Sequence, residues 1–186
     1  MISVLKRGPA IEPVTVAELR DHLRLDADDD KLLRSLISSA RLLVEAQTGL
    51  RLIEQSWHVL LSAWPGEAVA LPHRPVIAVD SIRLVGDTTT TLDPADYEVE
   101  ADARPALIIA GAKGWPAVPR ARHGIRIEAR FGYGAASGDV PDPLRLAVLM
   151  LAAHWYEMDD WHGCNQATSI PGRVEMLIGG YREMRL

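Results

Sequence analysis

Asp142-Pro143-Leu144-Arg145-Leu146-Ala147-Val148-Leu149-Met150-Leu151-Ala152-Ala153-His154-Trp155-Tyr156-Glu157-Met158 is the stretch on which the fold turns. Asp142 suits a helix N-cap, and Pro143 suits the first helical position, where a missing N–H costs nothing. From Leu144 to about Met158 the helix is apolar almost all round, with Arg145 the exception. Such a helix has to be covered on nearly every side, by its own domain or by neighbouring subunits. A loop from Asp159 to Pro171 separates it from a last short amphipathic segment, Val174 to Tyr181, which ends in Arg182 and Arg185.

The material to cover that helix lies at the other end of the chain. In Val14-Thr15-Val16-Ala17-Glu18-Leu19 the spacing predicts a capping box, with Thr15 as the cap, Glu18 reaching back to its amide and Val14 stapling to Leu19. The helix so opened should run to about Leu25. Asp26, Asp28, Asp29 and Asp30 then crowd the start of a second helix, where carboxylates offset the positive helix end. Leu32, Leu33, Leu36, Ile37, Ala40, Leu43, Val44 and Gln47 place one stripe along its inner face, with Lys31, Arg34 and Arg41 outside it. Gly49 stops it. Arg41 and Glu45 stand four apart and can pair at the surface for about 0.2–0.5 kcal/mol; alternatively one of them meets a neighbouring subunit.

Between the helical ends the pattern changes to period two. Trp57, Val59 and Leu61 alternate with Ser56, His58 and Leu60 before a turn at Trp64-Pro65-Gly66. Val69 and Leu71 lead into Pro72-His73-Arg74-Pro75, where two prolines forbid helix and interior-strand pairing. Val76 to Val85, Tyr97 to Val99, Ala106 to Ala110 and Ile125 to Phe131 read as further strands, the last alternating Ile125, Ile127 and Ala129 with Arg126, Glu128 and Arg130. About five short strands joined by turns point to an antiparallel sheet or small sandwich. The expected class is α+β. The N-terminal helix pair and the C-terminal helices form a helical bundle, with an inserted antiparallel β-rich region. The chain is read as a single domain over 1–186, helical over 13–50 and 142–186, with the insertion at about 54–132.

Composition narrows the functions. The 186 residues are 48% hydrophobic and 24% charged, ordinary for a globular chain. Aromatic content is 5%, yet five residues are Trp, a type suited to interfaces as well as to cores. A net charge of −5 provides no basic footprint for nucleic acid. The one cysteine, Cys164, excludes an intramolecular disulfide and a Cys-rich zinc site. No signal-peptide stretch and no run of about 18 apolar residues is present, so no membrane partner is expected.

Catalytic signatures are thin. His154, Asp159, Asp160, His162 and Cys164 fall within one short stretch, but the spacing of the two histidines does not match a zincin helix. Gly132-Tyr133-Gly134 lacks a third glycine and the strand–helix context of a dinucleotide loop, and more simply lets the chain leave its last strand. No Walker loop or nucleophile elbow occurs. The expected cofactor and metal complement is none. The alternative is a small metal-dependent hydrolytic or ligand-binding domain built on residues 154–164.

The order of short motifs resembles the head–tail connector (adaptor) proteins of long-tailed phages, prophages and gene transfer agents. It runs from Pro13-Val14-Thr15-Val16-Ala17-Glu18 through His22-Leu23-Arg24-Leu25, Asp29-Asp30, Leu32-Leu33, Ala40-Arg41, Glu45, Thr48-Gly49, Trp57 and Trp64-Pro65. It continues through Leu71-Pro72, Pro75-Val76, Ser81-Ile82, Gly132-Tyr133, Pro141 to Leu144 and Pro171 to Arg182, nearly the whole chain. The resemblance implies a non-enzymatic subunit of a homo-oligomeric ring, usually a dodecamer, under the portal protein at the head–tail junction of a virion assembled in the bacterial cytoplasm. Such a ring extends the DNA channel and offers a platform for the stopper or tail-completion protein, while DNA passes an acidic bore without specific binding. Tyr181 and Arg182, on the tail behind the Gly- and Pro-containing loop, are the portal-docking candidates. Arg41, Glu45 and Trp155 are the subunit-interface candidates.

Overall fold

The computed structural model describes residues 1–26, 30–159 and 170–182. The chain forms two compact units, one of residues 1–9 and 54–133, the other of 10–53 and 134–186.

The first unit is built of strands: β1 (Ile2–Arg7), β2 (Gln55–Leu61), β3 (Ala68–Ala70), β4 (Val76–Val85), β5 (Thr89–Thr91), β6 (Tyr97–Glu100), β7 (Leu107–Ala110) and β8 (Ile125–Phe131). They make a five-stranded sheet in the order β1-β2-β8-β4-β5 and a three-stranded sheet in the order β3-β7-β6. Every pairing is antiparallel. The middle strand β8 shows why: Ile125, Ile127, Ala129 and Phe131 are all fully buried, while Arg126, Glu128 and Arg130 alternate onto the other face. Val59, Ile82 and Ile108 join the same apolar core, each fully buried. Trp64 and Trp115 stack at 4.1 Å and 8° over one side of it, each indole N–H donating to a backbone carbonyl.

The chain therefore opens in a strand. The sequence pattern predicts helices at both ends and no element over residues 1–9, and β1 corrects this. β1 pairs with β2 across the whole of residues 8–54, Ile2 opposite Leu60 and Leu5 opposite Trp57. All of its residues except Ser3 are exposed, so no buried face marks it in the sequence.

The second unit holds α1 (Val16–Leu23), α2 (Asp30–Thr48), α3 (Asp142–Asp159) and α4 (Gly172–Gly179). The expected capping box is present: Thr15 Oγ1 accepts from the Glu18 N–H at 3.1 Å, and Glu18 Oε2 accepts from the Thr15 N–H at 2.7 Å. Arg24 closes α1 at φ 58, two residues earlier than expected. Gly49 follows α2 at φ 71, a conformation that favours glycine, and its N–H bonds the Glu45 carbonyl.

Helix α3 touches α1, α2 and α4. Leu144, Ala147, Val148, Leu151 and Ala152 are buried by these contacts, while Leu146 remains 43% exposed. Burying a Leu or Val side chain contributes roughly 1.5–3 kcal/mol, so this face is a main source of the unit's stability. Arg145, the polar exception in the sequence, caps the arrangement. Its Nε donates to the Pro13 carbonyl at 3.0 Å and its Nη2 to Glu18 Oε1 at 2.6 Å. Arg145 thus fastens the first turn of α3 to the start of α1.

Candidate functional site

Helix α2 does not present Arg41 to solvent. Its buried stripe is Leu33, Ile37, Ala40, Arg41, Val44, Glu45 and Thr48, so the expectation that Arg41 lies outside the stripe is corrected. The reason is a set of partners that helical spacing alone cannot supply. Glu12, in the segment before α1, accepts from Arg41 Nε at 2.7 Å and Nη2 at 3.4 Å, the two-pronged geometry that suits a guanidinium. Glu45 accepts from Arg41 Nη1 at 3.2 Å, from Arg51 Nη1 at 3.5 Å and from the Leu52 N–H at 3.0 Å. Burial pushes the Arg51 guanidinium below its usual range, and Glu45 opposes that shift. Arg41 is 7% and Glu45 2% exposed, which leaves little of either to offer a neighbour. At this depth the pair is no surface i, i+4 bridge: breaking it strands a buried charge.

The other candidates are placed as follows. Trp155 is half-buried on α3. Tyr181 and Arg182 follow α4. The Tyr181 N–H donates to the Ile178 carbonyl at 3.0 Å, and Arg182 Nη2 donates to Gln47 Oε1 at the end of α2 at 3.1 Å. The tail is thus folded back onto its own helices as far as Arg182. Of the histidine and acid stretch, His154 and Glu157 line an open cleft of about 270 Å³ together with His22 and Arg173. Asp160, His162 and Cys164 lie outside the described residues, as do Asp28, Asp29 and Arg185. Among the described residues no three acidic, histidine or cysteine side chains converge as metal ligands, and no helix is long and apolar enough to cross a membrane.

The strand unit contains one pair with the geometry of a nucleophile and its base: Ser3 Oγ lies 2.7 Å from His73 Nε2. His73 is held by rings, at 4.3 Å from Trp57 and edge-on to Phe131 at 5.3 Å. The hydrogen bond fastens β1 to the turn before β4. On the sheet's outer face Glu128 bonds Lys6 and lies 3.6 Å from His58, and the Lys6 hydrogen bond holds its carboxyl below the usual range. Arg130 bonds Asp80 at 3.0 Å and Glu54 at 3.2 Å. These outer residues were read only as the polar half of an alternation. Their position opposite the core was legible; their charge pattern across strands depended on an order of strands that sequence does not reveal.

No protein-family model matches the chain, and no curated protein does. Solved structures do. The chain is 31% identical, over 100% of its length and 97% of the other chain, to a chain in the neck of an empty gene transfer agent particle computed with C6 symmetry, with a TM-score of 0.81. It is 30% identical, with the same coverage and TM-score, to a chain in the neck of a native gene transfer agent particle computed with C12 symmetry. A chain of the virion of the native particle matches at 29% identity, with the same coverage and a TM-score of 0.80. The likeness runs the length of the chain, and the chain belongs to the head–tail connector (adaptor) family, whose members here are structural proteins of the gene transfer agent neck.

Proposed function

We propose that the chain is the adaptor subunit of a ring of about twelve copies that sits beneath the portal protein, extends the DNA channel and joins capsid to tail. The observation that carries this reading is likeness along the full chain to a neck computed with twelvefold symmetry. A ring of identical chains needs one surface of each subunit to meet a different surface of the next. The four helices act as a helical bundle into which the strands are inserted. The Glu12–Arg41–Glu45–Arg51 network fixes that bundle internally, while Trp155 and exposed Leu146 on α3 face the adjoining copy. Tyr181 and Arg182 dock on the portal, and the stopper or tail-completion protein binds the opposite end. The net charge of −5 suits a bore through which DNA passes without specific binding.

Deleting the gene and restoring it on a plasmid tests the role. Without the chain, closed heads should accumulate apart from tails in electron micrographs, and the plasmid should restore joined particles. Joined, infective or transfer-competent particles in the deletion strain would overturn the reading.

A further inference from the structure

One row of side chains runs across the outer face of the five-stranded sheet. Ile2, Leu60, Arg126, Arg83 and Thr91 are successive cross-strand partners on β1, β2, β8, β4 and β5. The adjacent register positions Val59, Ile127 and Ile82 are fully buried, so this row points away from the core. Arg126 and Arg83 therefore stand directly opposite each other, a placement in which like charges repel. Neither forms an ion pair with a carboxylate among the described residues, and Arg126 Nε is shielded from solvent with no hydrogen-bond partner. The carboxylate of the next row, Glu128, bonds Lys6 and lies beside His58, with the Arg83 charge acting on it less than either, and Arg130 takes Asp80 and Glu54. On the same face, beyond β2, Ile2 and Val4 of β1 are 50% and 45% exposed. Guanidinium groups on one sheet face with exposed apolar side chains suit a protein–protein contact.

The opposite charge is displayed on another surface of the same unit. β6 is an outer strand of the three-stranded sheet. Glu98 and Glu100 project from it on one face, exposed, and Asp102 follows in the adjoining turn. None of the three is ion-paired among the described residues. Two unlike patches of opposite sign on one chain can satisfy each other in a closed ring by head-to-tail contact, each copy offering one patch to each neighbour.

We propose that Arg83 and Arg126 of one copy receive Glu98 and Glu100 of the next copy around the ring. This inference rests on the connector reading, and it adds a charged contact between strand units to the α3 contact of adjoining copies. A partner other than a second copy would leave the two patches independent of each other, and the test separates these cases.

Two full-length variants are made, Arg83→Glu/Arg126→Glu and Glu98→Lys/Glu100→Lys, and expressed singly or together in the deletion strain. Each alone sets like charge against like charge at every contact, so ring occupancy of the neck should fall by about a hundredfold. Expressed together they should alternate around a ring of even number and restore occupancy, because every contact again joins opposite signs. Restoration also shows that both variants fold. Should either reversal fail to fold, Arg83→Gln/Arg126→Gln and Glu98→Gln/Glu100→Gln take their place, and the two should lower occupancy equally. Loss with the arginine variant alone, single variants that assemble like the parent, or two folded variants that fail together would each overturn the proposal while leaving the connector reading intact. A parent chain absent from the neck would overturn both.

Discussion

The helical unit keeps ionised groups inside, and the strand unit keeps them out. In the first, Arg41 and Glu45 lie in the buried stripe of α2, held by Glu12, Arg51 and the Leu52 N–H. In the second, the buried core cluster is apolar throughout, and Lys6, Glu128 and Arg130 make their ion pairs on the outer face. Residues far apart in sequence meet in both units, but by different means. The strands are held by alternation, which tolerates exchange among apolar residues of similar volume. The helices depend in addition on one carboxylate that three donor groups share, and such a group tolerates no loss.

The sharpest way to break the comparison is Glu45→Ala. It leaves Arg41 with Glu12 alone and strips Arg51 and the Leu52 N–H of a buried acceptor, and should cost about 3–5 kcal/mol in denaturant unfolding. A loss below about 1 kcal/mol would mean that this network is as dispensable as a surface pair. In the strand unit the corresponding change is Ile127→Ala, at the centre of β8. A cavity there should cost about 2–5 kcal/mol, with Ile127→Val costing only about 0.5–1.5 kcal/mol, a graded response that the ionic network should not show. Thr15→Ala removes the cap of α1 and should cost about 1 kcal/mol. Lys6→Ala, on the outer face, should cost no more than about 1 kcal/mol, and that cost should fall with added salt.

Acid gives a further separation. The Thr15 backbone hydrogen bond, with the Thr15 hydroxyl and Arg145, holds the Glu18 carboxyl below its usual value. A carboxyl lowered in the folded state stabilises the fold fully above its unfolded value, and that contribution is lost as pH falls through the folded value. Stability measured downward from pH 6 should therefore fall on an acid limb, and Thr15→Ala should flatten part of it. The effect is small because Glu18 is 42% exposed.

How much of this was legible in the sequence follows the same division. Local signals were read directly: the Thr15–Glu18 box, the stop at Gly49, the apolar length of α3 and the period-two run of β8. Contacts that join distant residues were not. Arg41 looks like a surface residue until Glu12, 29 positions upstream, is brought beside it. β1 was missed because its pairing with β2 is long-range and nearly all of its side chains are exposed. The insertion of β8 between β2 and β4 is likewise non-local, so the opposed arginines 83 and 126 carry no sequence signal. Of the candidate site residues, Arg41 and Glu45 lie in the interior of the chain, Trp155 is half-buried on α3, and Arg182 bonds Gln47 of its own chain.

The central claim, that this chain closes the ring at the head–tail junction, is tested most directly by reconstructing the neck of particles whose copy of the chain carries a small N- or C-terminal label. The account predicts a single ring of about twelve labelled copies, coaxial with the portal and between it and the tail. A neck whose ring is built from another chain, or a label scattered elsewhere in the particle, would contradict it.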